Sequence, residues 1–414
     1  MSTQLPQRGL TRDELVREFD RLSENDVDWR AGKAAVYVFD AGADVREIAA
    51  EAYTRFLSEN GLGPAAFPSL ATMESDVVAM GLALLNAPPG AKGNMTSGGT
   101  ESIFLSVKAC RDWARAHKPH ISAPQIVAPH TAHPAFDKAG EYLGLEVIRV
   151  PVTSALVADP DAMANAITSN TVMVMGSAPC FPFGLIDPIE RIAAIAEQHG
   201  LWMHVDACVG GYFSPFARMN GVALPRFDFE ISGVHSMSAD LHKYGYAAKG
   251  ASTVLFRDEA RHAFQGFDFD NWPCRAMSTP TFAGTRPGGA IAAAWAVMNY
   301  LGVDGYCERA NTVIRTREKL QREVEALGLR VHGDPQLGLI AFGSDDVDII
   351  AVGEDLRAGG WVSSRTVSPD GIHLMLSPGH ADIIDEYVAA LTASVAKARD
   401  GKLAPSRPQD VRYA

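Results

Sequence analysis

Apolar positions recur at helical spacing early in the chain. Leu15, Val16, Phe19 and Leu22 predict a helix over 11–24, and Val45, Ile48, Ala49, Tyr53 and Phe56 predict another over 44–58. Gly- and Pro-rich turns follow at 61–68. From about residue 70 to 256 helical patterns alternate with short β-branched apolar runs: Gln125 to Ala128, Glu146 to Val150, Thr171 to Gly176, Leu201 to Val205, Glu230 to Ser236 and Ser252 to Phe256. Such runs, apolar on both faces and interleaved with helices, predict a mostly parallel sheet covered on two sides. In such sheets ligands bind beyond the carboxyl ends of the strands. Helical stretches at 289–301 and 307–327, then strand-like LGLIAFGS at 337 and GIHLMLS at 371, predict a smaller α+β unit. The expected division is an N-terminal helical segment at 1–58, a large domain at 59–305 and a small C-terminal domain at 306–414.

A hydrophobic fraction of 47% over 414 residues supports a substantial core. The formal net charge of −12 argues against broad attraction to nucleic acid or anionic membrane, so any bound anion needs a local site. Five dispersed cysteines with no CxxC pair fit a reducing compartment, and a cytoplasmic location is expected. No run of about 18 apolar residues predicts a membrane span, and the N-terminus lacks the apolar core of a signal peptide.

Three stretches carry candidate chemistry. TSGGTES at 96 opens an amphipathic helix running to about Ala116. Ser97, Gly98, Gly99 and Thr100 suit either a phosphate cradle at a helix N-terminus or an ordinary loop and cap. LWMHVDACVGG at 201 delivers Asp206 at the end of an apolar strand, where a buried carboxylate needs a cationic partner such as a protonated pyridine nitrogen, or serves as a cap or structural ion pair. SADLHKYGYAAKG at 238 places Ser238, His242 and Lys243 after a strand-like run, with Lys249 six residues on. A lysine at a strand end can be desolvated enough to form a Schiff base, and Ser238, His242 and Thr100 offer donors to a phosphate. Taken in order, an anion cradle, a strand-end carboxylate and a strand-end lysine describe a pyridoxal 5′-phosphate site.

The motifs TSGGTES at 96, IVAPHTAHPAFDKA at 126, HVDACVGG at 204, SADLHKYGYAAKGAS at 238 and TFAGTRPGG at 281 together resemble the sphingosine-1-phosphate lyases, within the group II decarboxylase branch of fold-type I pyridoxal phosphate enzymes. The resemblance runs from about residue 28 to 395. It implies an α/β fold of the fold-type I, PLP-dependent transferase-like class, with a large domain built on a mostly parallel sheet and a small C-terminal α+β domain. It makes Lys243 the lysine that holds the cofactor aldehyde, Asp206 the partner of the pyridine nitrogen and His133 the residue stacked on the ring. Ser97, Gly98, Gly99, Ser238 and His242 would surround the phosphate, with Gly284 and Thr285 approaching from the second subunit of a homodimer. Tyr37 and Lys249 match substrate-side positions.

Two positions depart from the pattern. Gly63 stands where relatives carry a histidine, and Met277 where they carry a tyrosine able to move a proton. The implied reaction is a carbon–carbon cleavage of a phosphorylated β-hydroxy amine, a class that includes lipid-like substrates, to an aldehyde and an amine. The alternatives are amino-acid decarboxylation and a cofactor-binding protein without catalysis. Arg286 suits a substrate carboxylate or a subunit interface, and His380 either a substrate contact or a surface loop. Cys208 reads as packing. HKPH (His117, His120) and HTAH (His130, His133) have chelating spacings without the carboxylates or cysteines to complete a site, so no metal is expected.

Overall fold

The computed structural model describes residues 4–274 and 276–406. The helices lie at α1 (Arg12–Ser23), α2 (Ala43–Arg55), α3 (Pro68–Leu84), α4 (Gly99–His117), α5 (Ala135–Leu143), α6 (Pro160–Asn165), α7 (Ile189–His199), α8 (Ser214–Met219), α9 (Glu259–His262), α10 (Gly288–Ala326), α11 (Ile349–Ala358) and α12 (Ile384–Arg399). Strands β1 (Lys92–Thr96), β2 (Gln125–Pro129), β3 (Glu146–Val150), β4 (Thr171–Ser177), β5 (Trp202–Asp206), β6 (Ser236–Ala239) and β7 (Ser252–Phe256) form one sheet in the order β1-β7-β6-β5-β4-β2-β3. Only β7 runs against its neighbours β6 and β1; the others are parallel. Every residue of β4, β5, β6 and β7 is buried, as expected of strands covered on both faces.

The helix expectations hold, with one change. The stretches foreseen at 289–301 and 307–327 form the single element α10, bent at Gly302, whose φ of 55° and ψ of −171° break the helical path. Four of the six apolar runs match their strands within a residue, and the run at Leu201 shifts by one so that Asp206 itself lies in β5. The run at Glu230 is corrected: residues 228–235 turn, because the Asp228 carboxylate accepts from the Glu230 amide (3.0 Å) and backbone bonds link Ile231 to Asp228 and Val234 to Ile231. The strand begins only at Ser236. β1 was missed as a strand because KGNMT is polar and sits at the sheet edge.

A hairpin of β8 (Phe267–Phe269) and β9 (Met277–Thr279) follows the large sheet. The small sheet orders β10 (Arg330–Val331), β11 (Leu339–Gly343), β13 (Asp370–Met375) and β12 (Ser364–Val367), all antiparallel. The N-terminal segment is stitched to it: Ala35 donates to the Val362 carbonyl (2.9 Å) and accepts from the Met375 amide (2.8 Å). Behind that strap α2 buries Val45 and Ala49 and packs on α10.

Candidate active site

The carboxyl ends of β5 and β6, the N-terminus of α4 and the loop after β7's partner strand enclose a cavity of about 490 Å³. Ser97, Gly98, Gly99, Thr100, His133, Asp206, His242, Lys243 and Lys249 all line it, although they come from four separate stretches of sequence.

Gly98 caps α4 and has no side chain with which to satisfy the first-turn amides, so the positive end of the helix is offered to an anion. Gly99 lets the loop seat closely: a Cβ there would stand 2.6 Å from Cys208 Sγ and 2.9 Å from Asp240 Oδ2. A buried serine chain anchors this turn to the sheet, from Thr96 to Ser102 (2.6 Å) and on to Ser252 (2.8 Å). Ser97 is more committed than expected. Its amide (2.7 Å) and hydroxyl (2.5 Å) both donate to Glu101 Oε2, while Glu101 Oε1 accepts from the Phe282 amide (2.9 Å).

Asp206 is 7% exposed, and Oδ1 accepts from the Cys208 amide (3.1 Å) and the Ser238 hydroxyl (3.2 Å). Both bonds fall on Oδ1, which leaves Oδ2 to accept from a ligand cation. Ser238 was expected at the phosphate; it is instead fully buried beneath Asp206 and absent from the cavity wall. His133 accepts from the Ala135 amide at Nδ1 (3.1 Å), so the proton of the neutral ring lies on Nε2. Burial draws its pKa down despite Asp206, keeping the ring neutral. His242 donates from Nδ1 to the Ala251 carbonyl (2.7 Å), and burial lowers its pKa against the pull of Asp240.

Lys243 Nζ lies 3.0 Å from Asp240 Oδ2. Burial alone would lower the pKa of this amine, but the carboxylates, Asp240 foremost, outweigh it and raise the value. Asp240, given no role from sequence, is 2% exposed and its Oδ1 has no partner among the described residues. Its place three residues before the lysine was the available signal. Cys208 lines the cavity rather than merely packing, and burial holds it as a thiol. Lys249 Nζ donates to the carbonyls of Tyr37 (3.0 Å) and His242 (3.3 Å), and burial lowers its pKa to about 8.

Other expected contacts fall elsewhere in the chain. Tyr37 touches Lys249 through its carbonyl while its side chain, about half exposed, lies outside the cavity wall. Thr285 lines a small neighbouring cavity with Ser97 and Glu101, and Gly284 lies beside Leu62. Arg286 is not on this cavity's wall: its guanidinium pairs with Glu74 and donates to the Gly61 carbonyl (3.1 Å), tying α3 to the 60–61 turn. His380 is neither a surface nor a substrate residue but a buried cap, accepting from the Ser377 amide (2.8 Å) and contacting the Ala34 carbonyl (3.2 Å). Gly63 and Met277 are likewise absent from the cavity wall.

The donor set fits pyridoxal 5′-phosphate. An uncapped glycine turn suits its phosphate, the free Oδ2 of Asp206 its ring nitrogen, and Lys243 its aldehyde.

Comparison with known proteins agrees with this chemistry. Residues 1–344 match the family model described as the pyridoxal-dependent decarboxylase conserved domain. A sphingosine-1-phosphate lyase of Oryza sativa subsp. japonica is 40% identical over 418 residues, covering 98% of this chain and 77% of that protein. Sphingosine-1-phosphate lyase 1 of Rattus norvegicus is 40% identical over 378 residues, and this chain spans 66% of its length. The solved sphingosine-1-phosphate lyase of Burkholderia pseudomallei K96243 superposes with a TM-score of 0.93 at 35% identity, over 97% of this chain and 94% of that one.

Proposed function

The chain belongs to the pyridoxal-dependent decarboxylase family and is a pyridoxal phosphate-dependent lyase; from that premise we propose that it cleaves the Cα–Cβ bond of a phosphorylated β-hydroxy amine, releasing an aldehyde and an amine. The observation that carries this reading is the second lysine, Lys249, on the wall of the cavity that holds Lys243. With a pKa near 8 it is mostly cationic at neutral pH, ready for an anionic substrate group. The similarity to sphingosine-1-phosphate lyases supports the same substrate class.

Bound pyridoxal 5′-phosphate supplies an electron sink for the pair left when a bond at the substrate Cα breaks. The chain's own groups do the rest. Asp206 Oδ2 would accept from the protonated ring nitrogen, and the neutral His133 would lie against the ring. The amides of the Gly98–Thr100 turn would receive the phosphate, and His242, whose Nδ1 proton goes to Ala251, could donate to it only from a doubly protonated ring. With the substrate amine in its place, Lys243 Nζ would in its neutral form accept the β-hydroxyl proton as the Cα–Cβ bond breaks and, as the ammonium that Asp240 stabilises, return it to Cα. In the homodimer we infer, Gly284 and Thr285 complete the partner's site. Five free thiols support a reducing, cytoplasmic location. Among the described residues no helix is long and apolar enough to cross a membrane.

The test is to incubate the cofactor-loaded protein with a phosphorylated sphingoid base, a β-hydroxy amino acid and plain amino acids, scoring aldehyde and carbon dioxide. Aldehyde from the phosphorylated base is expected. Carbon dioxide from an amino acid without aldehyde would assign a decarboxylase instead, and neither product from a loaded protein would indicate binding without catalysis.

A further inference from the structure

Beneath Asp206 lies a set of buried polar side chains that no substrate can reach. His204 sits two residues before Asp206 on β5, so the period of the strand puts both side chains on one face. Its Nδ1 is 2.9 Å from Ser106 Oγ on α4 and 2.9 Å from Ser236 Oγ on β6, and its Nε2 is 3.3 Å from Ser238 Oγ. Ser106 and Ser236 are themselves 2.8 Å apart, and Trp202 Nε1 lies 2.8 Å from Ser236 Oγ. Phe136 closes the ring edge-on at 5.7 Å. His204, Ser106, Ser236 and Ser238 are all fully buried.

The direction of these bonds follows from what each group can do. An indole N–H only donates, so Ser236 Oγ accepts from Trp202. An ionised carboxylate only accepts, so the single hydroxyl hydrogen of Ser238 points to Asp206. Ser238 then has only lone pairs to offer His204, and Nε2 must carry the imidazole proton. Nδ1 is left as the acceptor, supplied by the hydroxyl of Ser236 or Ser106. A second proton on the ring would face those hydroxyls with no carboxylate in contact, and burial draws the His204 pKa down to about 4, so the ring stays neutral and in one tautomer. Every hydrogen in the series therefore points toward Asp206.

We propose that His204 is a positioning residue of the active site: through Ser238 it fixes a hydrogen-bond donor on Asp206 Oδ1, and so keeps the proton shared at Oδ2 on the cofactor nitrogen rather than on the carboxylate. Donors on a carboxylate lower its proton affinity, and serial hydrogen bonds in a dry interior reinforce one another. Without the series the donor on Asp206 Oδ1 is no longer held in place, and the pairing of Oδ2 with the ring nitrogen is weakened. The inference rests on the cofactor assignment, which borohydride reduction of the wild-type protein tests by itself.

The experiment uses holoenzyme loaded with pyridoxal phosphate carrying ¹⁵N in the ring, reading the nitrogen chemical shift and the cofactor dissociation constant. His204→Phe and Ser238→Ala are expected to move the nitrogen signal toward the unprotonated position and weaken cofactor binding about tenfold, the size of one lost hydrogen bond to a charged group. His204→Gln, whose amide nitrogen can still reach Ser238, is expected to restore both. Wild-type shift and affinity in a folded His204→Phe protein would overturn the proposal. Should that variant fail to fold, Ser238→Ala, smaller by one oxygen, decides alone: an unchanged nitrogen signal there overturns it equally.

Discussion

Lys243 and Lys249 share one cavity, yet their surroundings give them opposite tendencies. The carboxylate of Asp240 stabilises the ammonium of Lys243, whereas burial without a contacting carboxylate draws Lys249 down to about 8. Lys243→Ala is therefore expected to abolish the visible absorbance of the lysine-bound cofactor and its trapping by borohydride, with Lys249→Ala retaining both. The reverse pattern would exchange their roles. For Lys249, the cationic fraction falls as pH rises through about 8, so KM for a phosphorylated substrate should climb above that pH. Lys249→Met should start from the higher KM and show no such step. Asp240 poses a kinetic question, because an ammonium cannot attack an aldehyde. Asp240→Asn removes the charge that raises the Lys243 pKa, so reloading of cofactor-free enzyme should reach half its maximal rate at a pH about one unit or more lower. A reloading profile that does not move would remove Asp240 from that role.

At the scale of elements, chemistry that sits at a strand end or a helix start was readable from order along the chain. The apolar run into Asp206, the glycine turn opening α4 and the lysine after β6 each announce themselves locally. What could not be read were partners distant in sequence. Arg286 looked like a substrate cation because Glu74, more than two hundred residues upstream, leaves no local trace. Ser238 looked like a phosphate contact because nothing in SADLHK shows which face of β6 turns toward β5. The strand-like look of 230–236 was overridden by the Asp228 turn. The glycine turn itself makes a sharp prediction. A methyl at Gly99 collides with Cys208 Sγ and Asp240, whereas one at Gly98 comes no nearer than 3.7 Å to His242. Gly99→Ala should weaken cofactor binding about tenfold or more, the usual size of a forced fit in a packed site, and Gly98→Ala far less. Adding Cys208→Ala to Gly99→Ala should recover part of the loss, measured by spectral titration with pyridoxal phosphate.

The whole molecule buries several titratable groups in their neutral forms, which ties its stability to pH. Burial lowers His204 and His373 to about 4 and His235 to about 3, from an ordinary 6.5. Each is neutral in the fold but takes a proton once the chain opens, so the stability present above pH 6.5 is lost as pH falls. Asp187 works the other way. Burial raises its carboxyl to about 6 from 3.8, even though the amides of Ala158 and Ser177 donate to it. Between those values the fold, not the open chain, holds that proton. Near pH 5 three histidines act against one carboxyl, and unfolding takes up about two protons. The corresponding slope is about 3 kcal/mol per pH unit. The lowered values of His133, His242 and His380 act in the same direction as the other histidines. The urea midpoint of the cofactor-loaded protein should therefore drop steeply between about pH 6 and about pH 5, a span over which exposed ion pairs such as Arg226–Glu190 contribute little. His373→Asn, packed behind Phe181 rather than on the cavity wall itself, should flatten the slope by about one proton if it folds; a midpoint that stays level across that range would show that these histidines are not neutral in the fold.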